Sequence, residues 1–189
     1  KGSDESKIME SLDLLGAKKI VENEIEVIHS RTILIEVVKD LYLYAPVFEK
    51  DRFFSRPAYT TSPIVVELQQ PDSLIQVKEV PFIFSPATEA STIAHHRYPL
   101  NQWVNSDWGL IRFSNNPLYH RSSGPHQYYF ALTNVKKAAS DLGDKLDATA
   151  SGKLSSVIDL VLKDAVPERG EAILNDVINV YNKISIIDK

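Results

Sequence analysis

The feature that most constrains the fold is a strand-like segment near the C-terminus that leads through a proline into a long helix. Residues 157–162 alternate so that Ile158, Leu160 and Leu162 share one face of a strand. Pro167 then fits the first position of a helix, where its missing N–H costs nothing. The apolar residues beyond it recur at helical spacing: Ile173, Val177, Val180, Tyr181, Ile184 and Ile187. Neither Gly nor Pro ends this periodicity, so we expect the helix to continue into a longer one.

Two helices are predicted at the other end of the chain. Two apolar sets recur at helical spacing, first Val21, Ile25 and Ile28, then Ile33, Leu34, Val37, Val38 and Leu41. Ser30 lies between them and can accept a backbone N–H as an N-cap. We therefore predict two short helices that meet at Ser30, or one helix kinked there. Residues 1–18 are predicted to form a flexible lead-in, because the opening stretch is polar and charged.

The middle of the chain shows weaker alternation and several turn signals. The predicted strands are residues 64–68, 75–84, 108–113 and 128–132. We expect the second of them to lie at a sheet edge, because Pro81 has no N–H to donate to a ladder. Asn134 can cap a helix that follows the last of them. Residues 44–62 are predicted to be irregular because prolines interrupt them, and residues 70–126 are interpreted as an irregular insertion.

The order of these elements indicates the fold class. Two helices, several strands, a helix, one or two strands and a final helix are typical of an α+β fold. We predict an antiparallel or mixed sheet flanked by helices. At 189 residues, 43% of them hydrophobic, the chain can bury one substantial core. The predicted organisation is a single domain over residues 19–189, preceded by the lead-in.

Charge and residue types exclude several functions. The chain has 21 Lys and Arg against 25 Asp and Glu, a net charge of −4, whereas nucleic-acid-binding domains are usually strongly basic. We expect no nucleic-acid partner. With no cysteine, the chain has no disulfide, thiolate zinc site or cysteine nucleophile. No run approaches the roughly 18 apolar residues that a membrane-spanning helix needs, so any membrane anchor is expected outside these residues.

A carboxylate cluster near the N-terminus is the first candidate for catalysis. On a helix, Glu22 and Glu26 share a face while Glu24 points elsewhere. A glycosidase needs two carboxylates about 5–10 Å apart across a cleft, with the pKa of one raised by burial. A solvated helix face explains these residues better. Neither a phosphate-cradling GxxxxGK loop nor a G-x-S-x-G nucleophile motif is present, so we assign no catalytic residue and no cofactor.

Four histidines could bind a metal ion: His95, His96, His120 and His126. Adjacent residues of a strand point to opposite faces, and no carboxylate or second histidine follows at a fixed ligand spacing. Surface positions in loops are the better interpretation. We therefore assign no metal site.

Aromatic residues in the middle of the chain are candidates for stacking on sugars. Trp103, Trp108 and Tyr119 are the candidate sugar contacts, although aromatic residues in half-buried strands more often belong to a core. A carbohydrate-binding module is the alternative function, and it requires a shallow aromatic groove around these three residues. A periplasmic hydrolase is a third hypothesis, which requires a cleft with paired buried carboxylates.

Two segments resemble the Wzz family of polysaccharide co-polymerases, which includes chain-length determinants and exopolysaccharide tyrosine autokinases. Residues 21–31 and then 37–43 match an N-E-I-x-h-h-x-S-R helix and an h-h-x-x-L-x-L ending, where h is apolar. Residues 155–182 match a strand, an Asp before a P-x-x-A helix start, then I-L-N and Y-N. The motif residues with a structural role implied by the resemblance are Asn23, Glu24, Ser30, Arg31, Asp164, Pro167, Asn175 and Tyr181. Gly170 stands where the family more often has Ala, and residues 70–105 have no counterpart.

The resemblance implies the base domain of a bacterial inner-membrane protein. In that family two transmembrane helices bracket a periplasmic segment, whose α/β base leads into a long helical hairpin. We expect a non-catalytic scaffold or regulatory module that controls the length or export of an O-antigen, capsular or exopolysaccharide chain. The implied partners are copies of itself in a ring of the full-length protein, the polysaccharide polymerase or export machinery, and the polysaccharide. Some relatives carry a cytoplasmic tyrosine kinase. The isolated domain is expected to be a monomer or weak oligomer.

Overall fold

The computed structural model describes residues 2–51, 53–120, 127–152 and 155–187. Within them, the helices are α1 (Gly2–Ile28), α2 (Arg31–Asp40), α3 (Val135–Gly143) and α4 (Pro167–Ile187). The strands are β1 (Val47–Lys50), β2 (Ser55–Pro57), β3 (Ile64–Leu68), β4 (Val77–Ser85), β5 (Ala90–Ile93), β6 (His96–Pro99), β7 (Val104–Ser106), β8 (Gly109–Asn115), β9 (Gln127–Leu132), β10 (Leu146–Ala150) and β11 (Ile158–Leu162). The chain has the predicted α+β fold, with antiparallel sheets flanked by helices.

The break between α1 and α2 falls at Ser30, as predicted. The Ser30 hydroxyl accepts a hydrogen bond from the Ile33 N–H at 3.4 Å, which satisfies one of the donors left free at the start of α2. The start of α1 differs from the prediction, because the helix begins at Gly2 and includes nearly all of the lead-in expected over residues 1–18. This stretch is polar overall, but it contains Glu, Lys, Met and Leu, which favour helix, and no proline interrupts it.

The strands form three sheets. The largest has the order β2-β1-β9-β4-β5-β6, a second has the order β3-β8-β7, and β10 pairs with β11. Each neighbouring pair is antiparallel. A bridge between Leu100, just after β6, and Phe113 in β8 links the two larger sheets. The core therefore lies between sheets as well as beneath helices.

The predicted edge position of the strand around Pro81 was wrong, because β4 lies inside the largest sheet. Pro81 pairs with Tyr129 of β9. Only the last three residues of β4, 83–85, pair with β5. The two partners of β4 are staggered along it, so Pro81 faces a single neighbouring strand. That stagger lets an interior strand contain a residue without an N–H.

Two segments predicted to be irregular contain strands. Residues 70–120, the described part of the irregular insertion predicted over 70–126, hold β4 to β8 and belong to the sheets. Residues 44–62 hold β1 and β2. The strands that the sequence did not reveal there have three or four residues, too few for alternation to be recognised. The β5–β6 hairpin also turns at Ala94, whose φ of 52° no glycine or asparagine signals.

The core between the two larger sheets is aromatic. Phe82 and Phe130 meet Phe113 of β8 with ring centroids 6.1 Å and 6.0 Å apart. Tyr98 lies 5.5 Å from Phe113, and Trp108 contacts Phe130 edge-on at 5.5 Å. Edge-on and tilted contacts of this kind add to the stabilisation that burial alone provides.

The strand and helix predicted near the C-terminus are confirmed as β11 and α4, and α4 begins at Pro167. Ile158, Leu160 and Leu162 are half-buried on one face of β11, as predicted, whereas the residues between them are exposed. α4 packs against α2, α1 and β11. Its buried apolar residues are Ile173, Val177 and Val180.

Candidate functional site

Two motif residues from opposite ends of the chain touch each other where α1 meets α4. The Tyr181 hydroxyl donates a hydrogen bond of 2.6 Å to the Glu24 carboxylate. This bond, together with burial, raises the pKa of Tyr181. Glu22 and Glu26 are exposed while Glu24 is half-buried, so the predicted division of these carboxylates between two faces is confirmed.

A second contact fixes the start of α4. Arg169 donates to both oxygens of Asp164, from Nε to Oδ2 and from Nη2 to Oδ1, each at 2.8 Å. The Val166 N–H also donates to Asp164 Oδ1 at 2.8 Å. Burial alone would raise the pKa of Asp164, but the bonds from Arg169 and Val166 outweigh it and hold the pKa below the usual value. The carboxylate is therefore ionised at neutral pH and engaged on both oxygens.

The remaining motif residues lie on the surface or at helix starts. Pro167 is the first residue of α4, and Ser30 caps α2. Asn23, Arg31 and Asn175 are exposed. Their side chains are therefore accessible to solvent and to other molecules.

A cleft of about 400 Å³ lies beside the Asp164–Arg169 pair. Its walls come from residues 41–48 after α2, from β3, from α3 and from the start of α4. Apolar side chains form most of the lining, and burial raises the pKa of the lining residue Tyr59. Asp164 is a weak proton acceptor because its pKa is low and both its oxygens accept bonds. The cleft is thus suited to holding an apolar group and less suited to proton transfer.

The three candidate sugar contacts lie in different environments. Trp108 is half-buried against Phe130 and belongs to the core. Trp103 is exposed, with the Arg112 guanidinium 4.6 Å from its ring centroid. Tyr119 is exposed in the loop after β8, where its N–H donates to the Asn116 carbonyl. Among the described residues no ring contact joins Trp103, Trp108 and Tyr119. Of the three rings, Trp108 therefore packs in the core, whereas Trp103 and Tyr119 are exposed.

A buried carboxylate in β3 was not expected from the sequence. Glu67 is buried, and it accepts hydrogen bonds from Arg112 and from the Ser114 hydroxyl on β8. Tyr42 lies next to the Glu67 carboxylate, and burial together with this negative charge raises the pKa of Tyr42. Alternation along β3 puts Glu67 on the face opposite to Ile64, Val66 and Leu68. Its partner is 45 residues away, so no local signal in the sequence could have revealed the pair.

A second buried carboxylate lies in β1. Glu49 is buried and accepts hydrogen bonds from Arg56 Nε at 3.2 Å and from the Thr61 hydroxyl at 3.3 Å. Glu49 and Glu67 belong to different sheets, each with its own arginine. Neither lines the 400 Å³ cleft. The arrangement differs from the paired carboxylates facing one cleft that a hydrolase requires.

The predicted surface exposure is confirmed for His95, His96 and His120, but His96 belongs to strand β6 and not to a loop. His126 lies outside the described residues. Across the described part of the chain, no group of three or more His, Asp or Glu side chains could hold a metal ion. In the same residues, no helix has both the length and the apolar character that crossing a bilayer demands.

Comparison with protein-family models and with curated proteins finds no match to this chain.

Proposed function

We propose that this chain is the periplasmic base domain of an inner-membrane protein that controls the length or export of a surface polysaccharide. The observation that carries the proposal is the hydrogen bond between Tyr181 and Glu24. These residues belong to the two separate segments that resemble the Wzz family. A resemblance at two distant places gains weight when the matching residues form one contact in the fold.

The proposal assigns α1 and α4 the role of connecting elements. In the Wzz-like architecture, α1 follows the first transmembrane span and α4 leads into the helical hairpin. A scaffold must then hold the two helices at a fixed angle. The Tyr181–Glu24 bond and the packing of α4 on α1 and α2 support that role. The Asp164–Arg169 pair supports it as well, because it fixes the direction in which α4 leaves the domain.

The proposed partners follow from this role. Copies of the full-length protein would pack side by side in a ring, and the polymerase or export machinery would contact that ring. Exposed motif residues such as Arg31 and Asn175 support lateral contacts, since no hydrogen bond or ion pair to another described residue accounts for their identity. The domain itself would act without a catalytic residue or cofactor.

The experiment is a gene deletion in the native host, with the surface polysaccharide resolved by gel electrophoresis. We expect the deletion to change the modal chain length or the amount exported, and the wild-type gene to restore both. A full-length variant with Glu24→Ala and Tyr181→Ala should restore export with an altered length distribution. Glu26→Ala is the matched control, because Glu26 is exposed on the same helix, and it should restore the wild-type pattern.

Two results would overturn the proposal. One is a deletion strain whose polysaccharide is unchanged in both length and amount. The other is a topology reporter, fused at this domain of the full-length protein, that is active only in the cytoplasm.

A further inference from the structure

The cleft at the start of α4 has the size and lining of a small-molecule site. Its volume is about 400 Å³, within the range of about 300–1,000 Å³ that such sites occupy. Ile64 of β3, Leu162 of β11 and Ile173 of α4 contribute apolar side chains from three separate elements. In sites of this kind the apolar walls hold the body of the ligand, and a few polar groups select its chemistry.

The acceptor groups of the cleft already have donors. Both oxygens of Asp164 accept hydrogen bonds from Arg169. The Asp141 carboxylate accepts a bond of 2.7 Å from Lys137. The side-chain oxygen of Asn116 accepts a backbone N–H at 3.0 Å. A ligand that needs to donate hydrogen bonds therefore finds these acceptors engaged.

Two donors of the cleft, by contrast, are free. The Arg169 side chain is 19% exposed, and only its Nε and Nη2 bond to Asp164, so Nη1 has no hydrogen-bond partner among the described residues. Burial raises the pKa of Tyr59, while Arg169 lowers it and Asp164 raises it, so the phenol lies near this ion pair and is protonated at neutral pH. The Tyr59 hydroxyl also has no hydrogen-bond partner in the described part of the chain. Both groups can donate to a ligand.

The charges of the lining leave one cation over. Asp141 and Asp164 each belong to an ion pair, so their charges are balanced. Lys145 lines the same cleft, and no ion pair joins it to another described residue. The nearest anions in sequence to this lining, Asp144 and Glu168, are exposed and do not line the cleft. Lys145 is therefore available to an anionic ligand.

We propose that this cleft binds a small molecule that has an apolar body and one carboxylate group. The apolar walls hold the body, while Tyr59, Lys145 and Arg169 donate hydrogen bonds to the carboxylate. A carboxylate offers acceptors only, which matches the surplus of donors, and its charge balances that of Lys145. The inference goes beyond the proposed function, since a scaffold needs no ligand in this cleft.

The test is a titration of the isotope-labelled chain, followed through its amide NMR signals, with three probes of equal length: octanoate, octanol and octylamine. At millimolar octanoate and neutral pH we expect saturable shifts of the amides that line the cleft. Octylamine should bind more weakly than octanoate, because its ammonium group repeats the charge of Lys145 and cannot accept from the free donors.

A variant at the cleft separates the carboxylate from the apolar body. Lys145 is exposed, so Lys145→Gln should keep the fold. It should weaken octanoate binding about threefold to tenfold and leave octanol binding unchanged. Lys136→Gln is the matched control, because Lys136 is exposed on α3 and does not line the cleft. It should bind octanoate like the wild type.

A second variant fills the cleft. Ala138 is half-buried and lines the cleft from α3. With its far-ultraviolet circular dichroism unchanged, Ala138→Phe should bind octanoate and octanol at least about tenfold more weakly, because the ring occupies the space of the apolar body. Should this variant fail to fold, Lys145→Gln still decides the proposal.

Four outcomes would overturn the proposal. Octanoate could give no saturable shift, or its shifts could lie away from the cleft. Lys145→Gln could weaken octanoate and octanol equally, or neither of them, which would remove the role of the cation. Octylamine could bind as tightly as octanoate. Finally, a folded Ala138→Phe variant could retain the affinity of the wild type.

Discussion

In the helical unit, formed by α1 to α4 with β10 and β11, aliphatic side chains on regular faces make up the core. Ile33, Val37 and Val177 are fully buried there, where α2 packs against α3 and α4. In the sheet region, residues 47–132, the centre is aromatic and two glutamates are buried with arginines. The elements of the helical unit thus follow from short-range repeats, although the contacts between them, such as that of Tyr181 with Glu24, join distant parts of the chain. The sheet region depends on contacts between residues that are distant in sequence.

The two regions nevertheless share one core. Tyr44 lies in the segment that joins them and is buried. Its hydroxyl accepts a hydrogen bond of 3.1 Å from the Leu68 N–H, and burial raises the pKa of Tyr44 to about 12. The phenol is therefore neutral under ordinary conditions. Buried residues of both regions form one continuous cluster, so we expect them to unfold together.

The largest expected effect comes from Phe130→Ala in the sheet region. Phe130 is fully buried and contacts Phe82, Phe113 and Trp108. Removing its ring should lower the free energy of unfolding by about 3–5 kcal/mol. Val177→Ala in the helical unit should cost less, about 2 kcal/mol, because fewer buried atoms are lost. Urea denaturation followed by circular dichroism measures both.

The same measurement tests whether the regions are coupled. For Phe130→Ala, the near-ultraviolet signal of the aromatic core and the far-ultraviolet signal of the helices should disappear at the same urea concentration. Helices that outlast the aromatic signal would show two independent units. Phe53→Ala is the control, since an exposed ring should change stability by no more than about 0.5 kcal/mol.

The contrast between the regions explains what the sequence could predict of the fold. α2, α3, β11 and the start of α4 follow from apolar spacing, from the caps Ser30 and Asn134, and from Pro167. These signals lie within a few residues of the structure that they predict. The position of β4 beside β9 depends on pairing across about 50 residues, which single-sequence patterns do not contain. The edge prediction for Pro81 failed for that reason.

The residues of the candidate site also divide into those that a local sequence signal predicts and those that only the fold reveals. Asp164 and Pro167 were singled out by a local motif, and both contribute to the start of α4. Tyr181 and Glu24 each belong to such a motif, but only the folded structure shows that the two residues form a hydrogen bond. Glu67 with Arg112 had no local signal at all. Trp108 was chosen for its residue type, and residue type alone does not separate a core ring from a binding ring.

The second-largest loss of stability is expected for Arg169→Ala, which removes the ion-pair partner of Asp164 in the helical unit. The low pKa of Asp164 means that its ionised form stabilises the fold. That stability is present above the ordinary aspartate pKa of about 3.9 and is lost as the pH falls through the lower folded value. At neutral pH we expect Arg169→Ala to lower the free energy of unfolding by about 2–4 kcal/mol. The difference from wild type should shrink below about pH 4, where the Asp164 carboxyl group of the unfolded chain takes up a proton while that of the folded wild type does so only at lower pH.

Urea denaturation across this pH range measures the difference. Arg56→Ala is the counterpart in the sheet region, where the bonds to Glu49 are longer, at 3.2 Å and 3.3 Å, and the arginine is more exposed. It should cost less stability than Arg169→Ala. A loss for Arg169→Ala that is independent of pH would mean that the arginine acts through packing and not through its charge.

The smallest expected effect is an increase in stability, for Gly170→Ala. Gly170 is the fourth residue of α4 and is buried, and a Cβ added there would lie 3.4 Å from the Asp164 Cβ, an ordinary contact. Alanine loses less backbone entropy than glycine on entering a helix, so Gly170→Ala should raise the free energy of unfolding by about 0.5–1 kcal/mol. Gly16→Ala in α1 is the matched control, because an added Cβ there meets no atom within 4 Å. If Gly16→Ala stabilises the chain while Gly170→Ala destabilises it, the bonds around Asp164 hold the start of α4 too tightly to accept one methyl group. The helical unit would then depend on that contact as strictly as the sheet region depends on its aromatic core.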